Sequence, residues 1–310
     1  ISLVFFMVVS ISFGINGLWF DLVQTPFIIL SVYHFIKFKE KKNISNLNIS
    51  FILVFSAIFI KQQALWLFLA YVVILLVDYK KIFTKLYLKL YPALTFIIVA
   101  SLIFTIYFYK TNTLKEFLIW AIYFPFILAS KAPSYISLPT IKQSIPIIIV
   151  LFLASPAVFL QRTKKSYILP IIISLLLFAY PRFDYFHLIP GLALISLSIS
   201  LSLNLISKSS LTIKMVYSFL MILIVIYVSR FIFRNISTEI RFFEPEIQTA
   251  ANFVALTVNK NESIYIQNGP DQIFVISSRL PIKPWADEFS WYLENGNLQQ
   301  NIVESLKNQK

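Results

Sequence analysis

From Ile1 to Phe233 the chain is a succession of apolar runs, several approaching the roughly 20 residues that a helix needs to cross a bilayer, and the basic residues between them fall in short, tight clusters. Inside hydrocarbon each backbone N–H and C=O must find its partner within the protein, so runs of this length restrict the fold to membrane helices. Composition agrees. Only 13% of the 310 residues are charged and 58% are hydrophobic, against about a quarter charged in soluble domains. Mean hydropathy is +0.77. A single large soluble core is therefore excluded, and the expected fold is an all-α polytopic membrane bundle.

The net charge of +13 is unevenly spread: 21 basic and 5 acidic residues lie up to Arg234, and 6 basic and 9 acidic follow from Asn235. A nucleic-acid surface would need basic and aromatic residues interleaved on one soluble face. Here the lysines cluster between apolar runs, as orientation signals do, so nucleic acid is excluded and attraction to anionic membrane lipids is expected. With no cysteine there are no disulfides, thiolate metal sites or thiol nucleophiles.

Alternation of loops gives about nine crossings. Ile1 to Phe13 ends at Gly14-Ile15-Asn16-Gly17, Leu22 to Phe38 reaches the Lys37, Lys39, Lys41 and Lys42 cluster, and the short Ile49 to Ile60 leads through Lys61-Gln62-Gln63 into Ala64 to Val77. Leu86 to Tyr109, Ile145 to Leu160, Tyr167 to Tyr180, Leu188 to Ile206 and Met215 to Phe233 complete the set, with Leu114 to Phe124 read as an amphipathic helix on the outer surface. Inner loops then carry thirteen basic residues, and outer loops before the tail carry six: Lys61, Lys110, Lys115, Lys131, Lys142 and Arg182. The excess inside has the expected sign. A single re-entrant element over Ile49 to Val77 would invert everything after it.

At Asn235 the character changes. Residues 1–234 form the membrane domain and 235–310 a small extracytoplasmic α/β module, with a helix from Glu239 to Val258 interrupted by Pro245, a short strand from Ser263 to Gln267, a turn at Asn268-Gly269-Pro270, a helix capped by Asp271, and another over Leu298 to Leu306. The opening Ile-Ser-Leu-Val-Phe-Phe has no basic flank and reads as the middle of a helix, so further sequence is expected before it; the module too reads as cut short.

The chemistry concentrates in Ala179 to Gly191, Ala-Tyr-Pro-Arg-Phe-Asp-Tyr-Phe-His-Leu-Ile-Pro-Gly, where Arg182, Asp184 and His187 stand at a membrane edge between two prolines. Ionisable groups near hydrocarbon face a partner, water or a ligand. On helical spacing Asp184 and His187 share a face, while Pro190 removes the bond to the Phe186 carbonyl and opens the turn. The bland alternative makes Arg182 and Asp184 interfacial anchors. Lys61-Gln62-Gln63, at the outer end of a short helix, offers a point charge and two amides to a phosphate, and snorkelling to headgroups is the competing reading. Asp21, Asp184 and Glu116 are the outer acidic groups before the tail, and a general base or metal ligand would most cheaply be one of them; against that, Asp21 follows Trp19 as a cap of the second helix, and Glu116 lies on a solvated face. His34 reads as interfacial, and His187 with Asp184 supplies at most two metal ligands, so no metal and no cofactor is assigned. Gly-x-Ser-x-Gly is missing, and the serines of Leu192 to Ser207 suit helix packing.

The short helix followed by Lys-Gln-Gln, the outer helix followed by Tyr123 to Phe126 and Ala132 to Pro139, and Tyr180-Pro181-Arg182-Phe183-Asp184-Tyr185-Phe186-His187-Leu188-Ile189-Pro190 before a final span together resemble the polytopic type C glycosyltransferases. The nearest group is the prokaryotic relatives of protein O-mannosyltransferases and aminoarabinose transferases. That resemblance implies transfer of a sugar from a polyprenyl-phosphate donor to an extracytoplasmic acceptor, at the plasma membrane. It also implies lipid-phosphate binding by Lys61 and Arg182, with Gln62 beside them, and sugar or acceptor binding by Asp184, Tyr185 and His187. In that family the acidic base lies in the first outer loop, for which this sequence has no counterpart, so the catalytic residue is expected upstream of Ile1. Two other classes compete. A flippase of lipid-linked sugars predicts charges deep in the spans and related halves, and a non-catalytic scaffold predicts no acidic residue in that loop.

Overall fold

The computed structural model describes residues 1–14, 20–78, 87–128, 136–159, 165–236, 243–266, 270–282 and 297–308. The expected Gly14 to Gly17 turn, the cluster Lys80, Lys81 and Lys85, Arg162 and Lys164, Lys131 to Tyr135 and the Asn268-Gly269 turn fall wholly or mainly outside them. The described residues are overwhelmingly helical, and they divide into two compact units, Ile1–Lys110 with Ser137–Asn235 and Thr111–Ile136 with Ile236–Lys310.

In the first unit α1 spans Ser2–Gly14, α2 Phe20–Lys41 and α3 Ile44–Ile60; a 3-10 turn at Gln62–Ala64 leads into α4, Leu65–Asp78. Then come α5, Tyr91–Lys110, followed after the second unit's first segment by α7, Ile141–Phe159, α8, Lys165–Leu176, α9, Ile189–Ile206, and α10, Leu211–Asn235. Among the described residues four helices are long and apolar enough to cross a membrane: Tyr91–Lys110, Ile141–Phe159, Tyr185–Ile206 and Leu211–Asn235. Side chains such as Ile98, Leu102, Ile103 and Ile106 on α5 face outward. A surface this apolar suits hydrocarbon rather than water.

Helices α2, α3 and α4 run back and forth. Asp21 at the start of α2 pairs with Lys61 at the end of α3, and Lys39 near the end of α2 pairs with Asp78 at the end of α4. Those two pairs are separated by the 18 residues from Asp21 to Lys39, or about 27 Å of helix at 1.5 Å per residue, close to the thickness of a bilayer core. Helix α3 is also longer than its apolar run suggested, because Asn43 caps it and its Oδ1 accepts from Ser45 N at 2.9 Å. Over Ile44–Asp78 the chain thus makes two antiparallel helices and not one long one.

Two apolar cores fill this unit. One joins α2, α3, α4 and α8 around Phe35, Leu47, Tyr71 and Phe178, with the Phe35 and Tyr71 rings stacked at 4.0 Å. The other joins α1, α7, α9 and α10 around Phe13, Leu153, Ile199 and Val228. Helix–helix bonds inside an apolar bundle come from small polar side chains. Ser31 Oγ donates to Ser50 O and Ser50 Oγ to Ser31 O, both at 2.9 Å. Pro156 has no N–H to give the Phe152 carbonyl; Ser155 Oγ donates there instead at 2.8 Å, and Ser202 Oγ of α9 reaches Ala154 O. Asn48 of α3 supplies the end of α5, accepting from Ala93 N and donating to Lys89 O.

Helix α9 packs on α1, α2, α7 and α8. Gly191 permits the approach to α8, since a Cβ there would stand 3.3 Å from Leu175 Cβ. A β-branched side chain would overpack this crossing, so Gly191→Val is expected to cost about 1–3 kcal/mol, read as a lower unfolding midpoint in detergent.

The second unit contains α6, Leu114–Leu118, which continues as a π-helical stretch over Ile119–Leu128, where the sequence predicted an amphipathic helix. Its later part holds α11, Pro245–Thr257, strand β1, Ser263–Ile264, α12, Gln272–Ser277, β2, Leu280–Pro281, and α13, Leu298–Lys307. Pro245 starts α11 rather than interrupting it, which suits a residue with no N–H to bond. The two short strands are parallel, with Ser263 opposite Leu280; β2 has no periodic run to announce it. Asp271 precedes α12 but its side chain makes no capping bond. Arg279, 5% exposed, donates to Ala255 O and Val258 O and so closes the carbonyl end of α11.

Candidate functional site

Residues Tyr180 to Asp184 are extended. Ser137 N donates to Pro181 O at 3.2 Å and Phe183 N to Ser137 O at 2.9 Å, so Arg182 lies opposite Ser137 in a parallel bridge. A 3-10 turn follows at Tyr185–Leu188 and passes directly into α9, with Pro190 in its first turn. The Phe186 carbonyl that Pro190 cannot serve accepts from Ile189 N–H instead. Asp184, with φ −143° and ψ 144°, stands before this turn. It therefore does not share a helical face with His187 as the spacing predicted; the tighter turn begins one residue too late.

The turn delivers His187, which is buried, onto the start of α2. Lys61, where α3 breaks before the Gln62–Ala64 turn, arrives at the same point. Lys61 Nζ lies 2.9 Å from His187 Nδ1 and 2.5 Å from Asp21 Oδ2, and His187 Nδ1 is 3.3 Å from Asp21 Oδ1. An ammonium can only donate and a carboxylate can only accept, so Nδ1 takes the Lys61 ammonium on its lone pair or gives an N–H to Asp21 Oδ1, according to the tautomer. Lys61 thus meets two polar partners, Asp21 and His187. Phe186 adds its ring 5.3 Å from Nζ, within the range of a cation–π contact.

Asp21 is fully buried. An isolated carboxylate is very costly in such a place, and its neighbours show how it is held: Lys61 on Oδ2, Gln24 Nε2 on Oδ1 at 3.4 Å, and the positive end of α2, in whose first turn it sits. Both oxygens of Asp21 thus have donors within the site. Burial pulls the Lys61 ammonium below its usual range; the Asp21 carboxylate, by charge and hydrogen bond, and the Asp184 carboxylate oppose that shift. Two amide oxygens near these elements, Gln24 Oε1 and Gln63 Oε1, are buried without a hydrogen-bond partner.

The residues singled out in the sequence separate into two groups. Lys61, Asp184 and His187 converge, and Arg182 follows five residues before His187, within about 18 Å of extended chain. Gln62 is exposed in the 3-10 turn. The Tyr185 ring lies 4.9 Å from that of Phe13 and 5.2 Å from that of Phe183, and its hydroxyl donates to Gln143 O at 2.9 Å, a tether to the start of α7. His34 takes no part in the cluster; its Nδ1–H donates to Asn46 Oδ1 at 3.0 Å. Among the described residues no three His, Asp or Glu side chains gather as a metal would require; the Lys61 ammonium touches both Asp21 and His187.

Comparison with models of known protein families, with curated proteins and with solved structures finds no match. The site therefore rests on its own chemistry. An ammonium whose side chain is 22% exposed is fixed at the end of α3 by a buried carboxylate and an imidazole nitrogen. So held, it can donate to an acceptor oxygen of a ligand.

The sequence counts Asp21 among the three outer acidic groups and assigns it to capping, so its pairing with Lys61 and His187 was missed. A usable signal was present. Asp21, Gln24, Thr25 and Ser31, all buried, recur at helical spacing on one face of α2, and a polar stripe on the inward side of an apolar bundle points to a functional interior.

Proposed function

We propose that this chain belongs to a membrane glycosyltransferase that moves a sugar from a polyprenyl-phosphate donor to an acceptor outside the cytoplasm. The observation that carries the reading is the meeting of Lys61 with His187 and Asp184, brought from segments more than a hundred residues apart to one end of an apolar bundle. Lys61 and Arg182 hold the phosphodiester. As the acceptor oxygen attacks the anomeric carbon from the opposite side, the bond from that carbon to the phosphate oxygen breaks and the lipid phosphate leaves with an added negative charge, which the cations stabilise. His187 and Asp184 face the sugar or acceptor hydroxyls. The acceptor's proton passes to a carboxylate other than Asp21, whose oxygens are engaged by Lys61 and Gln24.

In the same reading the chain crosses the plasma membrane about nine times, with residues 235–310 outside. A reporter fused after Lys310 is expected to score extracytoplasmic, and a cytoplasmic score overturns that orientation. For the reaction, membranes containing the protein are incubated with polyprenyl-phosphate carrying a radiolabelled hexose or pentose. Label is expected to leave the lipid for an envelope acceptor; label that stays on the lipid, as in membranes without the protein, sinks the proposal.

A further inference from the structure

The buried carboxylate of Asp21 has no part in the transfer step above, yet it makes the shortest contact in the site. We propose that Asp21 is the positioning residue of the anion site: it fixes the Lys61 ammonium against His187 so that an N–H is held toward an incoming phosphate. The inference rests on the lipid-phosphate reading for the identity of the anion but not for the geometry.

A lysine on a four-carbon stem is a flexible point charge. Left to itself at a bilayer edge, Lys61 would turn to the headgroups or to water. Three features hold it instead. Oδ2 of Asp21 lies 2.5 Å from Nζ, Nδ1 of His187 lies 2.9 Å away, and the Phe186 ring covers one side. Asp21 is in turn fixed from its own helix, where Gln24 Nε2 donates to Oδ1 and Thr25 Oγ1 donates to the Asp21 carbonyl at 2.6 Å. The Gln24 amide cannot be reversed, since its oxygen would then face the carboxylate; its Oε1 stays unpartnered on the far side. Rigid α2 thus anchors the carboxylate, the carboxylate anchors the ammonium, and the ammonium presents what is left of its donor capacity.

A positioning role and a purely electrostatic one make opposite forecasts. Asp21→Asn removes a negative charge beside an anion site, and by Coulomb's law alone anion affinity should rise. If Asp21 holds Lys61 in place, affinity should fall, because the side chain must be immobilised on binding; ordering one such side chain is worth about 2- to 10-fold. The full chain is reconstituted in lipid nanodiscs and titrated with decaprenyl phosphate and, as control, decaprenol. The parent is expected to prefer the phosphate. Asp21→Asn should lower phosphate affinity about 5-fold without changing decaprenol binding, and Asp21→Glu should recover most of it.

A second measurement needs no lipid. On reductive methylation of the reconstituted protein, Lys61 should react several-fold faster in Asp21→Asn than in the parent, while the exposed Lys214 reacts equally in both. Equal Lys61 reactivity, or phosphate affinity that is unchanged or raised in Asp21→Asn, overturns the inference. A parent that does not distinguish decaprenyl phosphate from decaprenol overturns the lipid-phosphate reading instead, and titration with inorganic phosphate then decides the role of Asp21: affinity lowered in Asp21→Asn supports it, and affinity unchanged or raised overturns it.

Discussion

Lys61→Met is expected to destabilise the membrane unit by about 3–5 kcal/mol, the largest loss of any single change at the site. Methionine keeps the length and apolar stem of lysine and removes the charge, so packing changes little. What remains is Asp21, fully buried, with the Gln24 amide at 3.4 Å and His187 Nδ1 at 3.3 Å. An amide and an imidazole N–H are weaker partners for a buried carboxylate than an ammonium. Removing both charges avoids that cost. Replacing a buried pair by apolar residues of similar size is often neutral or stabilising, so Asp21→Leu with Lys61→Met should unfold near the parental temperature while losing phosphate binding. Thermal unfolding of the two variants in one detergent separates the outcomes. A single variant as stable as the parent would mean that the pair does not hold this end of the bundle together.

Helix placement was legible because membrane helices carry their signal locally. Apolar runs and Lys clusters located α2, α5, α7, α9 and α10 to within a few residues. The elements that depended on long-range partners were not legible. The strand at Leu280–Pro281 is defined by its pairing with Ser263–Ile264, and the first residues of α3 by a cap at Asn43. At the site the same division appears. The Arg182 to His187 stretch announced itself by placing ionisable groups at a membrane edge, and Lys61 by interrupting an apolar run. Asp21 did not, since an acidic residue in a first helical turn is ordinary and its partners lie 40 and 166 positions away. Distance in sequence, and not weak chemistry, hid it.

Arg182→Ala is expected to reduce sugar transfer by about 100- to 1000-fold, the usual loss when one donor to a developing oxyanion is removed, while leaving the protein in the membrane at its parental level. The second half of that expectation follows from how the segment is held. The pairing that seats residues 181 to 183 runs through main-chain groups, Ser137 N to Pro181 O and Phe183 N to Ser137 O, and these survive loss of the guanidinium. Phe183 and Tyr185, packed with Phe13, anchor the chain on either side of Asp184. Arg182→Lys should retain part of the activity, since it keeps a charge but loses the planar, two-pronged grip on a phosphate. Transfer rates measured per unit of membrane protein, with unfolding temperature as the companion readout, distinguish a lost cation from a lost fold. An alanine variant that transfers normally would leave Lys61 as the sole cation on the phosphate and remove Arg182 from the site.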